Sequence, residues 1–358
     1  MFSKTYRMTR NYSSLLFLCL LCFFLVRSRA NNVPALFIFG DSLLDAGNNN
    51  WLSTKAKANY FPYGIDHPLG ATGRFTNGRT IADFFAEWLG LKFQRPYMQV
   101  ATLHIEDIYD GLNYASGSAG IFCETAREHV GINLSMGKQV SLFNKTVKNL
   151  LPLRYKSETE LANYLSKSIF VVYIGNNDFL FNFEDFLKPN ITIRPTNPDE
   201  FSSLLVKKLG DYLKELYQLG ARKFVVFELP PLGCFPGIAK ELRARNECDE
   251  KLNSYLKIFN AKYAKVVDDL RSLQGSTFVF AKTFNLTYDI VQNPTHYGIA
   301  DSELCVSKDW KACENRKAHV FFDPVHPTEI TYNIIASQCF NGTSLCYPMN
   351  VKELADTI

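Results

Sequence analysis

The chain has 358 residues, 47% of them hydrophobic and 21% charged, with a formal net charge of +4. That is the balance of a globular protein with ample core material, and it excludes disorder as the dominant state. Five of the 39 basic residues (Lys4, Arg7, Arg10, Arg27 and Arg29) and none of the 35 acidic ones lie in the first 30 positions, so the remaining 34 against 35 give −1, and no nucleic-acid partner is expected.

In chain order, residues 1–30 read as a secretory signal peptide. Lys4, Arg7 and Arg10 form a basic start, residues 14–26 are almost unbroken apolar, and Ser28 and Ala30 supply small residues before a cleavage at Asn31. The apolar run falls short of the roughly 20 residues needed to cross a bilayer. No later segment is long and apolar enough for a transmembrane span. Residues 31–358 show no linker, repeat or low-complexity tract, and one secreted, extracellular domain is expected.

Strand candidates follow at 34–40, 112–115, 169–174, 223–229 and 276–281. They are continuous apolar runs rather than alternating ones, as a parallel sheet covered on both faces requires. Between them, Phe201, Leu205, Leu209, Tyr212 and Leu216 keep helical spacing, with Gly220 placed to end the helix. Leu252, Leu256, Phe259, Tyr263 and Val267 repeat the pattern. Strand–helix alternation of this kind implies a doubly wound α/β sandwich, with its site beyond the carboxyl ends of the strands.

Four segments satisfy that placement. FGDSLLDAGNNN (39–50) follows the first strand and sets Ser42 at a strand-to-helix turn, where a hydroxyl nucleophile needs a base within reach. NYASGSAG (113–120) follows the second strand, and its glycines allow a backbone N–H to approach a substrate oxygen closely. Gly175-Asn176-Asn177-Asp178 follows the third, offering a side-chain amide to an oxyanion; Asp178 is expected to bond backbone. Asp323-Pro324-Val325-His326 pairs an aspartate with the one histidine of six that has an acid three residues before it. Pro327 then stands at the first turn of a helix. His67, His104, His129, His296 and His319 lack such spacing and read as surface or packing residues.

Seven cysteines remain after residue 30, and neighbours in sequence suggest Cys234–Cys248, Cys305–Cys313 and Cys339–Cys346, with Cys123 left over. Among these seven no C-x-x-C pair, and no clustered histidine spacing, supports zinc, so no metal is expected. Sequons stand at Asn133, Asn144, Asn190, Asn285 and Asn341 as glycosylation candidates.

Together with GRFTNGRTIADFFAEWLG (73–90) and FFDPVHPTE (321–329), these segments resemble the GDSL or SGNH hydrolase family, in particular its plant extracellular esterase/lipase branch. The pieces run in family order over nearly all of residues 31–358. The resemblance implies a flavodoxin-like three-layer αβα sandwich with a five-stranded parallel sheet and no cofactor. It implies Ser42 as nucleophile and backbone oxyanion donor, Asn177 as side-chain oxyanion donor, Asp323 and His326 as orienting acid and base. Gly117 or Gly120 would supply the third oxyanion donor. Two departures stand out: Phe322 where many relatives have tryptophan, and THYGIADSELC (295–305) where many have a Cys-Cys-Gly stretch.

The expected function is hydrolysis of carboxylic esters, lipid or other acyl esters, through an acyl-Ser42 intermediate, outside the cell in the apoplast or wall. Acyl transfer to an alcohol uses the same intermediate and stays open. A silent glycan- or lipid-binding protein on the same scaffold is the third reading, disfavoured because Ser42, Asn177 and His326 are all kept. Protein partners are not legible.

Overall fold

The computed structural model describes residues 33–182, 197–239 and 247–357; the expected signal segment 1–30 and the sequon at Asn190 lie outside them. Among the described residues there are nine strands: β1 Leu36–Gly40, β2 Arg95–Pro96, β3 Leu112–Asn113, β4 Ile169–Tyr173, β5 Lys223–Phe227, β6 Thr277–Ala281, β7 Asp301–Leu304, β8 His319–Phe321 and β9 Cys346–Tyr347. Seven of them form the central sheet in the order β2-β3-β1-β4-β5-β6-β9, and β7 and β8 form a separate pair. Pairing is parallel from β2 through β6, and only β9 runs antiparallel, against β6.

The five expected strands are therefore the inner five of the sheet (β3, β1, β4, β5 and β6), and two short edges extend it to seven. All five residues of β1, β4 and β5 are buried, which is why these runs do not alternate.

Helices cover both faces. On one, Phe143 of the helix Met136–Lys145 and Tyr164 of the helix Glu158–Lys167 lie 5.2 and 6.2 Å from Phe37. On the same face Tyr263 of the helix Glu250–Leu270 meets Phe280 at 5.5 Å. On the other, Phe85 of the helix Ile81–Trp88 lies 6.4 Å from Phe227 and 6.2 Å from Phe340 of the helix Glu329–Asn341. Each fully buried ring contributes about 1.5–3 kcal/mol of apolar burial, so this aromatic interior dominates the favourable side of folding. The result is a three-layer αβα sandwich.

Local signals set the helix ends. Asn197 and Asp249 accept N–H bonds from Glu200 and Leu252, and Ser157 with Glu160 forms a capping box. Gly220, at φ +109°, closes the long helix Pro198–Gln218 as its sequence position implies. Disulfides join Cys234–Cys248, Cys305–Cys313 and Cys339–Cys346, while Cys123 is exposed and unpaired.

Candidate active site

The site is built at the carboxyl ends of β1 and β4 and on the loop after β8. β1 ends at Gly40, where a Cβ would stand 2.5 Å from the Tyr173 carbonyl oxygen, so only glycine lets the two strand ends approach this closely. Gln139 holds the same residue from the adjoining helix. Its Oε1 accepts the Gly40 N–H at 2.9 Å and its Nε2 donates to the Gly40 carbonyl at 2.7 Å. Ser42 is thus two residues beyond a clamped strand end.

No helix follows Ser42, contrary to the sequence expectation. The chain turns instead, and its next helical element is the single 3-10 turn Asn48–Trp51. Polar side chains take over the work of holding it. Asp41 accepts from the Leu43 N–H and the Asn176 amide, at 3.0 and 2.8 Å. Asp45 accepts the N–H groups of Gly47, Asn48 and Gly117. Asn48 donates to the carbonyls of Asn113 and Ala115, and Asn49 to that of Gly117. Burial pushes both the Asp41 and Asp45 carboxyls up to about 6, against the pull of these donors.

On the opposite wall, β8 delivers the Asp323–His326 loop. Asp323 Oδ1 accepts the backbone N–H groups of Val325 and His326, both at 2.9 Å. Its Oδ2 lies 2.6 Å from His326 Nδ1 and accepts the Tyr63 hydroxyl at 2.8 Å. His326 Nε2 lies 2.8 Å from Ser42 Oγ. Burial alone would raise the Asp323 carboxyl, but the neighbouring His326, the backbone donors and Tyr63 hold it below its ordinary value. The line Ser42–His326–Asp323 therefore has the reach that a hydroxyl, a base and its orienting acid require.

The segment 74–79 braces this loop. Phe75 lies over the His326 ring at 5.0 Å, and the Thr76 hydroxyl donates to the Pro327 carbonyl at 2.9 Å. The Glu329 N–H donates to Asn77 Oδ1 at 2.8 Å, and Arg79 pairs with the Glu329 carboxylate. Arg74, buried against Asp83, anchors the segment below. The helix starts at Glu329 with Thr328 as N-cap, so Pro327 precedes the cap rather than occupying the first turn as expected.

The third wall carries Asn177, whose Nδ2 donates to the Ala119 carbonyl at 2.9 Å. Asp178 accepts from the N–H groups of Ile121 and Phe122 and from Thr125, so it bonds mainly backbone. The Gly117 N–H is engaged by Asp45, and neither Gly117 nor Gly120 lines the cavity around Ser42. That cavity, of about 30 Å³, is bounded by Ser42, Asn177 and His326 and by apolar Leu180, Leu232, Phe235, Ile238 and Val325.

Other sequence candidates fall elsewhere. His319 has a partner that spacing does not reveal, Asp301 at 2.7 Å, and His67 is buried, its Nδ1 accepting the Leu69 N–H. His104, His129 and His296 are exposed. Sulfurs of Cys234 and Cys248 meet Glu250, but they are bonded to each other and are not thiolate ligands. Asn285 and Asn341 are exposed, whereas Asn144 and Asn133 are half-buried; both hydrogens of the Asn133 amide are donated, to Ser118 and Thr125. Sequence reasoning missed Tyr63 and Gln139. Neither sits in a patterned motif, and they act across 260 and 99 residues.

Known proteins match most of this chain. Residues 36–339 match the family described as GDSL-like Lipase/Acylhydrolase. The chain is 38% identical to GDSL esterase/lipase 7 of Arabidopsis thaliana, over 90% of this chain and 92% of that protein. A second Arabidopsis thaliana GDSL esterase/lipase is 39% identical, over 90% and 87%. Among solved structures, an acetyl xylan esterase from Geobacillus stearothermophilus aligns with a TM-score of 0.39 and 11% identity, covering 86% of this chain and 94% of that one.

Proposed function

The chain belongs to the GDSL-like lipase/acylhydrolase family and is a carboxylic ester hydrolase, and from that premise we propose that it works through an acyl-Ser42 intermediate. The observation that carries the reading is the pair of contacts on His326, to Ser42 Oγ at 2.8 Å and to Asp323 Oδ2 at 2.6 Å.

Ser42 Oγ attacks the ester carbonyl carbon as His326 Nε2 takes the hydroxyl proton. Asp323 keeps the imidazole in the tautomer that leaves Nε2 free to accept, and stabilises the imidazolium formed. The carbonyl oxygen, now an oxyanion, accepts from the Ser42 N–H and the Asn177 amide. Neither loop glycine supports a third donor here, since the Gly117 N–H is engaged by Asp45 and Gly120 does not line the cavity. The tetrahedral adduct collapses, its C–O bond breaks, and His326 returns the proton to the departing alcohol. Water repeats the sequence, with His326 again as base, and the carboxylic acid leaves Ser42 free.

Residues 31–358 act as the mature domain, released from residues 1–30 into the extracellular space, with lipid or other acyl esters as substrates. No helix among the described residues is long and apolar enough to cross a membrane. The test is hydrolysis of a short-chain aryl ester by purified protein, together with fluorophosphonate labelling. Wild type should turn over and take the label on Ser42, and Ser42→Ala should do neither. A stable wild-type protein that neither hydrolyses nor labels overturns the mechanism.

A further inference from the structure

Tyr63 reaches the triad from a loop 260 residues away in sequence. Its ring is almost fully buried, packed at 5.4–6.0 Å from Tyr60, Phe75, Trp310 and Phe322. The hydroxyl has one aim, Asp323 Oδ2, the same oxygen that faces His326 Nδ1. A carboxylate has about four acceptor positions. Asp323 fills them with Tyr63 Oη–H, His326 Nδ1–H and the N–H groups of Val325 and His326.

Among the described residues no lysine or arginine is paired with this buried carboxylate. It is kept charged by hydrogen bonds, and Tyr63 supplies the one side-chain donor besides the base itself. Donation from the phenol does two things. It fixes the carboxylate plane so that Oδ2 points at Nδ1, and it withdraws negative charge from the oxygen that stabilises the imidazolium.

We propose that Tyr63 is a positioning residue for the reaction, acting through Asp323 to hold His326 in line with Ser42. This rests on the acyl-Ser42 reading above. The charged and titratable groups around the pair are Asp41 beside His326, and Tyr60 and Tyr332 near Asp323. None of these donates a hydrogen bond to Asp323 Oδ2, so none replaces Tyr63.

The experiment compares wild type, Tyr63→Phe, Asp323→Asn and the double variant, reading kcat and KM for an aryl ester and kcat/KM against pH. Tyr63→Phe keeps the ring and removes only the hydroxyl. It should lower kcat about tenfold, as loss of a hydrogen bond to a charged group does, with KM little changed. The acid limb of its profile should move upward by about half a pH unit or more, because a stronger Asp323 charge favours the imidazolium. In the Asp323→Asn background the same change should have almost no further effect.

An unshifted profile with unchanged kcat overturns the proposal, and so does a Tyr63→Phe loss that multiplies fully with Asp323→Asn. Should Tyr63→Phe fold poorly, 3-fluorotyrosine at position 63 decides instead. It is a stronger donor of the same shape and should move the limb downward; no movement overturns the proposal. Failure of the underlying reading shows separately, as wild-type protein that does not label on Ser42.

Discussion

Gln139 takes both backbone groups of Gly40, the N–H at 2.9 Å and the carbonyl at 2.7 Å, directly behind Asp41 and Ser42. A side chain here does what a further sheet strand does elsewhere, so that β1 ends in a fixed direction. Gln139→Leu has similar volume and leaves the buried Gly40 N–H unpaired, at a cost of about 1–3 kcal/mol, while the Gly40 carbonyl keeps the Ser116 N–H at 3.1 Å. Urea titration should show that loss, and kcat should fall with it because Ser42 is no longer held. Unchanged stability would mean that water satisfies the Gly40 N–H equally well.

Thr76 and Asn77 bind the far side of the base loop, at the Pro327 carbonyl and the Glu329 N–H. Thr76→Val removes the first bond at constant shape and should cost about 1 kcal/mol of stability. Its effect on turnover should be larger than its effect on KM, since misplacing a base slows chemistry before it weakens binding. Steady-state kinetics on wild type and variant give the comparison directly.

Asn177 should matter in the transition state alone. Asn177→Ala is expected to lower kcat by about 10²–10³ with a nearly constant KM, the effect of losing one oxyanion donor. Asp178→Asn should instead show in thermal unfolding, because Asp178 organises the backbone of residues 121–122 and Thr125.

Buried carboxyls give the protein a pH signature. Burial pushes Asp41, Asp45 and Asp178 from 3.8 up to about 6, and Glu228 from 4.5 up to about 7. The native state therefore holds these protons more tightly than the unfolded chain does. Their contribution to stability is full below about pH 4 and falls as pH rises towards 7. Asp66, Asp83 and Asp323 are shifted downward and act oppositely, losing their contribution only in stronger acid. Chemical unfolding should show greater stability near pH 5 than near pH 8, and Glu228→Gln should flatten part of that slope.

Sequons should divide by accessibility of the amide. Asn285 and Asn341 are exposed and should carry glycans on protein recovered from a eukaryotic secretory host. Asn133 should not, since both its amide hydrogens are used within the fold, nor should half-buried Asn144, whose sequon ends at the buried Thr146. Peptide mapping after deglycosylation in heavy-oxygen water reads all four positions.

The inner sheet is legible from sequence because its strands are short, uniformly apolar and separated by periodic helices. The edges β2 and β9 are two residues long and carry no periodic signal, so the expected sheet stops at five strands. Ser42 and Asn177 are legible as candidates because each follows an expected strand, and His326 because Asp323 stands three residues before it; these three line one cavity. The turn after Ser42 is misread as a helix start because Leu43, Leu44 and Ala46 look helical locally. What overrides them is the set of carboxylate and amide bonds made by Asp41, Asp45, Asn48 and Asn49. Tyr63 and Gln139 are illegible for a different reason: their partners lie 260 and 99 residues away, and nothing local marks them.

The bracing of the His326 loop by residues 75–79 has a consequence for when the protein becomes active. The proposed nucleophile Ser42 and the brace are made early in synthesis, whereas the proposed base His326 comes 284 residues after Ser42. A ribosome-bound or truncated chain holds Ser42 with no proton acceptor beside it. The proposed Ser42 chemistry thus comes last, when sheet, brace and the helix Glu329–Asn341 have closed on one another.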